Sequence, residues 1–244
     1  MREQLLAYAL KYNGEYDRMK KAIQDDEAWQ MPEYKGHYLT ILDENYPKAL
    51  LLLEDPPFIL FYKGDIRLLE NEYLGIIGSR LASSVGLNYT AYLIKKCPLR
   101  YGIVSGLAKG IDAAAHANAI RCGRSTIGVI GCGIERVYPQ ENQYLYEQMA
   151  VNQLILSEYP EHTPPYASHF PWRNRIIAAL AKRIVVVEAK EKSGTMLTVN
   201  EALRLDKDVY VFPYRYDDAF GKGCNMLIQQ GANMLVFDEE IENL

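Results

Sequence analysis

Between residues 73 and 237, short runs of consecutive apolar, mostly β-branched residues alternate with stretches in which apolar side chains recur every three or four positions. The runs predict strands near 73–78, 101–105, 126–131, 153–157, 184–188, 208–212 and 233–237. The helical spacing predicts helices over Ser84–Lys96, Asp112–Arg121, Asn142–Ala150, Asn174–Ala181 and Leu197–Leu205. In runs such as Ile184-Val185-Val186-Val187 the apolar residues are successive rather than alternating, so both faces of each strand need cover. Strand starts mostly about 25 to 30 residues apart have the spacing of βα units. The pattern predicts an α/β fold, a doubly wound and mostly parallel sheet.

Upstream the pattern changes. Leu5, Leu6, Tyr8, Ala9 and Leu10 begin a helix, and Asp25-Asp26-Glu27 through Met31-Pro32 read as a linker. Residues 1–35 are too short for a core of their own and are expected to form a short N-terminal helical extension packed on the domain of residues 36–244 or on a partner. In Asp55-Pro56-Pro57-Phe58-Ile59-Leu60-Phe61-Tyr62-Lys63-Gly64-Asp65, two prolines force an extended approach to an added strand that ends in a Gly-Asp turn.

Composition narrows the class. Apolar residues make up 49%, enough for a core, and the apolar runs are far shorter than a membrane span. No basic-then-apolar leader is visible, and the four cysteines (Cys97, Cys122, Cys132, Cys224) show no Cys-x-x-Cys pairing, so a reducing cytoplasm and no structural zinc or other metal are expected. The net charge of −4 argues mildly against nucleic acid, but its distribution argues the other way. From Leu74 to Ile134 one acid, Asp112, faces seven bases: Arg80, Lys95, Lys96, Arg100, Lys109, Arg121 and Arg124. From His162 to Val187 no acid faces Arg173, Arg175, Lys182 and Arg183.

Those basic windows hold most of the glycine turns. Ile103 to His116 is a buried strand that breaks at Ser105-Gly106 and restarts as a helix after Lys109-Gly110. Free N–H groups at a helix start, the helix dipole and the absence of Cβ atoms together form an anion site. Related junctions lie at Gly78-Ser79-Arg80, where Ser79 can cap the next helix, at Gly131-Cys132-Gly133, and at Glu188 to Thr195, where Ser193-Gly194-Thr195 reads as a cap with free amides. Gly131-Cys132-Gly133 has Arg136 where a third fingerprint glycine would stand, and it follows the third core strand, so no dinucleotide and no other cofactor is expected.

His169-Phe170-Pro171-Trp172-Arg173-Asn174-Arg175 starts another helix, with Pro171 in its first turn and two guanidinium groups and an amide beside two aromatics. Phe170 and Trp172 either stack on nucleic-acid bases or belong to the core. Glu188 is either a general base or hydroxyl acceptor, or the structural ion-pair partner of Arg173 or Arg175, and His116 either pairs with Asp112 or packs its helix. No nucleophile is placed beside them, so no catalytic residue is assigned.

Taken in order, these blocks resemble the DNA-processing protein A family, also called Smf. The resemblance runs from Tyr46-Pro47 and Asp55-Pro56-Pro57 through Gly78-Ser79-Arg80, Ser105-Gly106-Leu107-Ala108-Lys109-Gly110-Ile111-Asp112 with His116, Gly131-Cys132-Gly133 with Tyr138-Pro139 and Asn142, and Ser157-Glu158-Tyr159-Pro160. It continues through Phe170-Pro171 with Arg173-Asn174-Arg175, Val187-Glu188-Ala189, Ser193-Gly194-Thr195 and Gly223-Cys224-Asn225 to Gly231-Ala232. It implies an extended Rossmann-like domain whose basic pocket holds single-stranded DNA. It also implies a non-enzymatic role: protecting incoming strands and loading the RecA recombinase in natural transformation. Arg80, Lys109 and the pair Arg173/Arg175 become phosphate contacts, and the glycine turns supply backbone donors. A homodimer surface, with RecA contact nearby, is implied around Asn225, Leu227, Ile228 and Met234.

Some positions depart from the family. Phe212-Pro213-Tyr214 stands where Pro-Gly is usual, Gln140 where a base is frequent, residues 1–35 are a trimmed N-terminal domain, and no C-terminal winged-helix domain is expected. The alternative function is a nucleotide-binding, phosphoribohydrolase-like enzyme of the same Rossmann-like superfamily, using Glu188 with Ser193-Gly194-Thr195. Of the pattern those enzymes resemble, this chain keeps only Ser-Gly-Thr.

Overall fold

The structure, a computed structural model, describes residues 1–244. Two helices open the chain, α1 (Arg2–Lys11) and α2 (Tyr16–Gln24), followed by two strands outside the parallel core, β1 (His37–Thr40) and β2 (Ile59–Gly64). The βα alternation then runs β3 (Glu72–Gly78), α3 (Ser84–Lys96), β4 (Tyr101–Ser105), α4 (Ile111–Arg121), β5 (Thr126–Ile130), α5 (Gln143–Asn152), β6 (Leu154–Ser157), α6 (His169–Leu180), β7 (Ala181–Glu188), α7 (Gly194–Arg204) and β8 (Val209–Val211). It ends with α8 (Lys222–Gln229), β9 (Asn233–Met234) and α9 (Asp238–Glu242). One sheet takes all nine strands in the order β1-β2-β6-β5-β4-β3-β7-β8-β9. It is parallel from β6 to β9, and the two antiparallel pairings are β1 with β2 and β2 with β6.

Successive apolar residues go to opposite faces because strand side chains alternate. Leu74, Ile76, Val185 and Val187 pack with Leu93 of α3 and Ile111 and Ala115 of α4. Tyr73, Ile77, Ile184 and Val186 pack with Ile176 and Ile177 of α6 and Val199 of α7. Fully burying such an aliphatic side chain stabilises by roughly 1.5–3 kcal/mol, and the double cover buries the centres of β3 and β7 on both faces. The N-terminal helices are not a detached piece. Leu6, Tyr8, Ala9, Met19 and Ala22 share a core with Ile59 and Phe61 of β2, and with Leu145 and Met149 of α5.

Several elements differ from the sequence reading. The helix expected over 174–181 starts five residues earlier, at His169, so Phe170 and Arg173 lie in its first turns. The last strand, expected over 233–237, has two residues. Residues 1–24 form two helices rather than one; the apolar stripe of α2 is only Tyr16, Met19 and Ala22 among charged neighbours.

From β3 the chain moves outward through β4, β5 and β6, then crosses back to β7 on the other side of β3. Between β3 and β7 the winding direction reverses, and beyond their carboxyl ends the flanking loops part to leave a crevice.

Candidate nucleic-acid interface

A cavity of about 600 Å³ occupies that crevice. Its walls come from the loop after β3 (Gly78, Ser79, Arg80), the first turns of α6 (Phe170, Arg173, Asn174), and the loop and helix start after β7 (Ser193, Gly194, Thr195). A recess of about 60 Å³ shares Arg80, Phe170 and Arg173 and adds Gly106, Lys109 and Gly131. Twelve of the residues expected to bind the strand thus meet in one place, brought there by five separate βα junctions.

The cationic groups differ in what they are free to do. Arg80 is exposed, makes no ion pair, and lies with its guanidinium 5.2 Å over the Phe170 ring. Arg173 is only 4% exposed; one arm donates to the Val129 carbonyl, while Nε has no partner. Burial lowers its pKa from the ordinary arginine value, and the Asp112 carboxylate opposes that shift. The same burial raises Asp112 above the usual carboxylate range, opposed first by Arg173 and then by Ser105. Lys109 pairs with Glu141, an exposed contact that a phosphate can displace.

Helix starts around the crevice are not equally open. At α4, Gly110 adopts φ +74°, and any Cβ there would run into the Ser79 carbonyl; the Ile111 N–H is used by that same carbonyl at 3.1 Å. At α3 the cap is Ser83, not Ser79 as the sequence suggests; Ser79 Oγ instead accepts the Leu81 N–H at 3.1 Å. At α7 the N-cap Ser193 makes no capping bond, its buried Oγ has no partner, and no atom lies within 4 Å of the space a Cβ at Gly194 would fill. Lys190 and Lys192 line the same cavity as this open end. An uncapped helix start that shares a cavity with two lysines and two arginines has the chemistry to suit an anion.

Several expected residues lie elsewhere. Arg175 is a correction: its guanidinium makes a buried fork to Glu158, 2.5 and 2.6 Å, donates to the Asp55 and Trp172 carbonyls, and lies 4.0 Å from the Trp172 ring centre. Trp172 goes with it, lying 5.4 Å from the Tyr16 ring of α2, on the opposite side of α6 from the crevice residue Phe170. Ser105 is buried and donates to the Ile76 carbonyl. Gly133 packs on the 161–163 backbone and donates to the Thr163 carbonyl at 2.8 Å. Neither of these two, nor Gly110, lines the cavity.

Glu188 is a second correction. It pairs with neither arginine, does not face the crevice, and caps α3 by accepting from Ser83. His116 does not pair with Asp112: Nδ1 meets Thr126 Oγ1 at 2.7 Å, and Nε2 is buried without a partner. Of the residues expected at a dimer surface, Leu227 belongs to the core and the Asn225 side chain is bound to the Tyr214 backbone. Ile228 is half-buried, and Met234 is exposed beside Val236 and Phe237. No group of three or more His, Cys, Asp or Glu residues is arranged to hold a metal ion, and no helix is long and apolar enough to cross a membrane.

Lys190, Lys192 and Tyr138 are cavity residues that the sequence reading did not assign. The lysines were legible as bases within Glu188–Thr195, but Glu188 and Glu191 masked them in the charge count.

A family model described as DNA recombination-mediator protein A matches residues 37–244. The chain is 38% identical over 244 residues to DNA processing protein DprA of Bacillus subtilis (strain 168), covering 98% of this chain and 80% of that protein. The X-ray structure of DNA processing protein A from Streptococcus pneumoniae superposes with a TM-score of 0.83 at 34% identity, covering 99% of this chain and 92% of that one. A structure of DNA processing protein A from Helicobacter pylori, described as concerning its single-stranded DNA binding mode, gives a TM-score of 0.77 at 33% identity, covering 85% and 95%.

Proposed function

Since this chain belongs to the DNA recombination-mediator protein A family, we propose that it binds single-stranded DNA in the crevice between β3 and β7 and acts as a recombination mediator. In this role it protects incoming single strands during natural transformation and hands them to the RecA recombinase in the cytoplasm. The observation that carries the binding reading is the uncompensated charge in the crevice. Arg80 has no acid partner, and Lys190 and Lys192 line the crevice with the uncapped start of α7. A phosphodiester chain supplies the missing acceptors, and the Phe170 face beside Arg80 suits a stacked base, a contact worth about 1–3 kcal/mol.

RecA loading and homodimer formation rest on the family, with Met234, Val236 and Phe237 as the exposed apolar residues near the C-terminal end. Glu188, the acid that a glycosidic-bond-cleaving reading requires, is committed to capping α3, so nothing in the crevice favours that alternative. The test is a competition between labelled oligo-dT and unlabelled single-stranded or duplex competitor at two salt concentrations. Single strands should displace the label at lower concentration than duplex, and binding should weaken steeply with salt. Preference for duplex, or binding insensitive to salt, overturns the reading.

A further inference from the structure

At the start of α3 the N-cap Ser83 hydroxyl accepts the Gly86 N–H at 3.0 Å, one half of a capping box. The other half is normally a Glu or Gln side chain at the third helical position, reaching back to the N-cap N–H. Here that position is Gly86, which has no side chain. Glu188, at the end of β7, takes its place from 105 residues away: both carboxylate oxygens accept the Ser83 N–H, at 3.1 and 3.2 Å, and the Ser83 hydroxyl also donates to it. Gly86 makes room for this, since a Cβ there would come within 2.6 Å of Glu188 Oε2. Glu188 is fully buried, and no lysine, arginine or histidine nitrogen lies within ion-pair distance. Its negative charge is held by the N-terminus of a thirteen-residue helix. The Glu188 carbonyl also accepts the Ser79 N–H at 2.8 Å, so one residue grips both ends of the loop 79–83 that carries Arg80.

We infer that Glu188 is a positioning residue for DNA binding: it completes the α3 cap from the β7 side and so fixes the loop that carries Arg80 at the carboxyl end of β7. This rests on the crevice being the single-strand site. The sign of the effect is diagnostic. A buried anion under a phosphate site repels DNA, so if Glu188 acted only through its charge, Glu188→Gln would tighten binding. If it positions Arg80, Glu188→Gln weakens binding despite removing that repulsion, because the amide cannot accept with both atoms.

The experiment is anisotropy with labelled oligo-dT on the wild type, Glu188→Gln, Arg80→Ala and the double variant, with Gly86→Ala as an independent displacement of the carboxylate. Urea midpoints establish that each variant is folded in the assay. Glu188→Gln should weaken binding by about tenfold or more, the scale of one charge-assisted hydrogen bond. In the Arg80→Ala background it should change affinity less than about twofold, since the residue it positions is gone. Gly86→Ala should weaken binding and show the same dependence on Arg80. Equal or tighter binding by Glu188→Gln overturns the inference, as does full loss in both backgrounds. If Glu188→Gln does not fold, Gly86→Ala decides alone, and unchanged affinity there overturns it. A wild type that binds oligo-dT beside an unaffected Glu188→Gln refutes only this role, whereas a wild type that fails to bind refutes the crevice reading beneath it.

Discussion

Replacing Arg175 with alanine should unfold the protein more readily without removing a DNA contact. The Arg175 and Glu158 side chains are 6% and 5% exposed, the fork between them is bidentate, and the guanidinium also satisfies the Asp55 and Trp172 carbonyls. Removing one member of such a pair strands the other charge in a dry site, which costs about 3–5 kcal/mol. With an m-value of about 3 kcal/mol per M, the urea midpoint of Arg175→Ala should fall by roughly 1–1.7 M. Because Trp172 lies against Arg175 and near Tyr16, its fluorescence reports the same transition. Oligo-dT affinity, measured where the variant is still folded, should stay within about twofold of wild type, since no phosphate contact is lost. The reasoning is refuted if Arg175→Ala keeps its urea midpoint but binds oligo-dT at least about tenfold more weakly, a loss of ~1.4 kcal/mol. That result would place the guanidinium on DNA.

Acid stability should depend on His116. Thr126 Oγ1 donates to the Ile103 carbonyl at 2.8 Å, so the imidazole must donate from Nδ1, leaving Nε2 unprotonated with no acceptor nearby. Burial, with Arg173 adding to it, pushes His116 down to about 3. The unfolded chain therefore binds a proton that the folded one refuses: the stabilisation is complete above about pH 6.5 and is lost as pH falls towards 3, at a limiting slope of ~1.4 kcal/mol per pH unit. Urea midpoints of the wild type should fall across that window, and those of His116→Gln should fall less; parallel curves would count against the assignment. Gly110→Ala should destabilise by at least about 1–3 kcal/mol, since its positive φ is strained for alanine and the Cβ meets the Ser79 carbonyl; an unchanged melting temperature would be inconsistent with that backbone. Glu141→Gln frees Lys109 and should tighten oligo-dT binding about two- to threefold at low salt, with the gain fading at high salt; no change at either salt would leave Lys109 outside the site.

The doubly wound sheet was legible because consecutive apolar residues in β3 and β7 allow no other burial, and the crevice followed from glycine turns at the ends of β3, β4, β5 and β7. The fate of Arg175 was half legible. Arg173 and Arg175 are two positions apart on a helix, about 200° around its axis, so they cannot share a target. What the sequence withheld was that the partner acid is Glu158, in a block that reads only as a strand end. Glu188 was ambiguous for a similar reason. A buried acid beside a basic cluster suggests an ion pair, and only the fold shows that its partner is the start of α3, a helix whose capping box lacks a third-position acid because Gly86 stands there. The start of α7 was legible as a helix start, but that Ser193 makes no capping bond there while Glu188 serves the start of α3 is visible only in the fold.

The central claim is that a polyanionic strand completes the charge in the crevice. Its most direct test is the salt dependence of oligo-dT affinity for wild type and Arg80→Ala. The account predicts a linear log–log plot with a slope of about −0.7 for each phosphate neutralised, and for Arg80→Ala a slope shallower by about one such step. It also predicts a loss of about 1–3 kcal/mol in affinity for that variant. Two superimposable lines would contradict it.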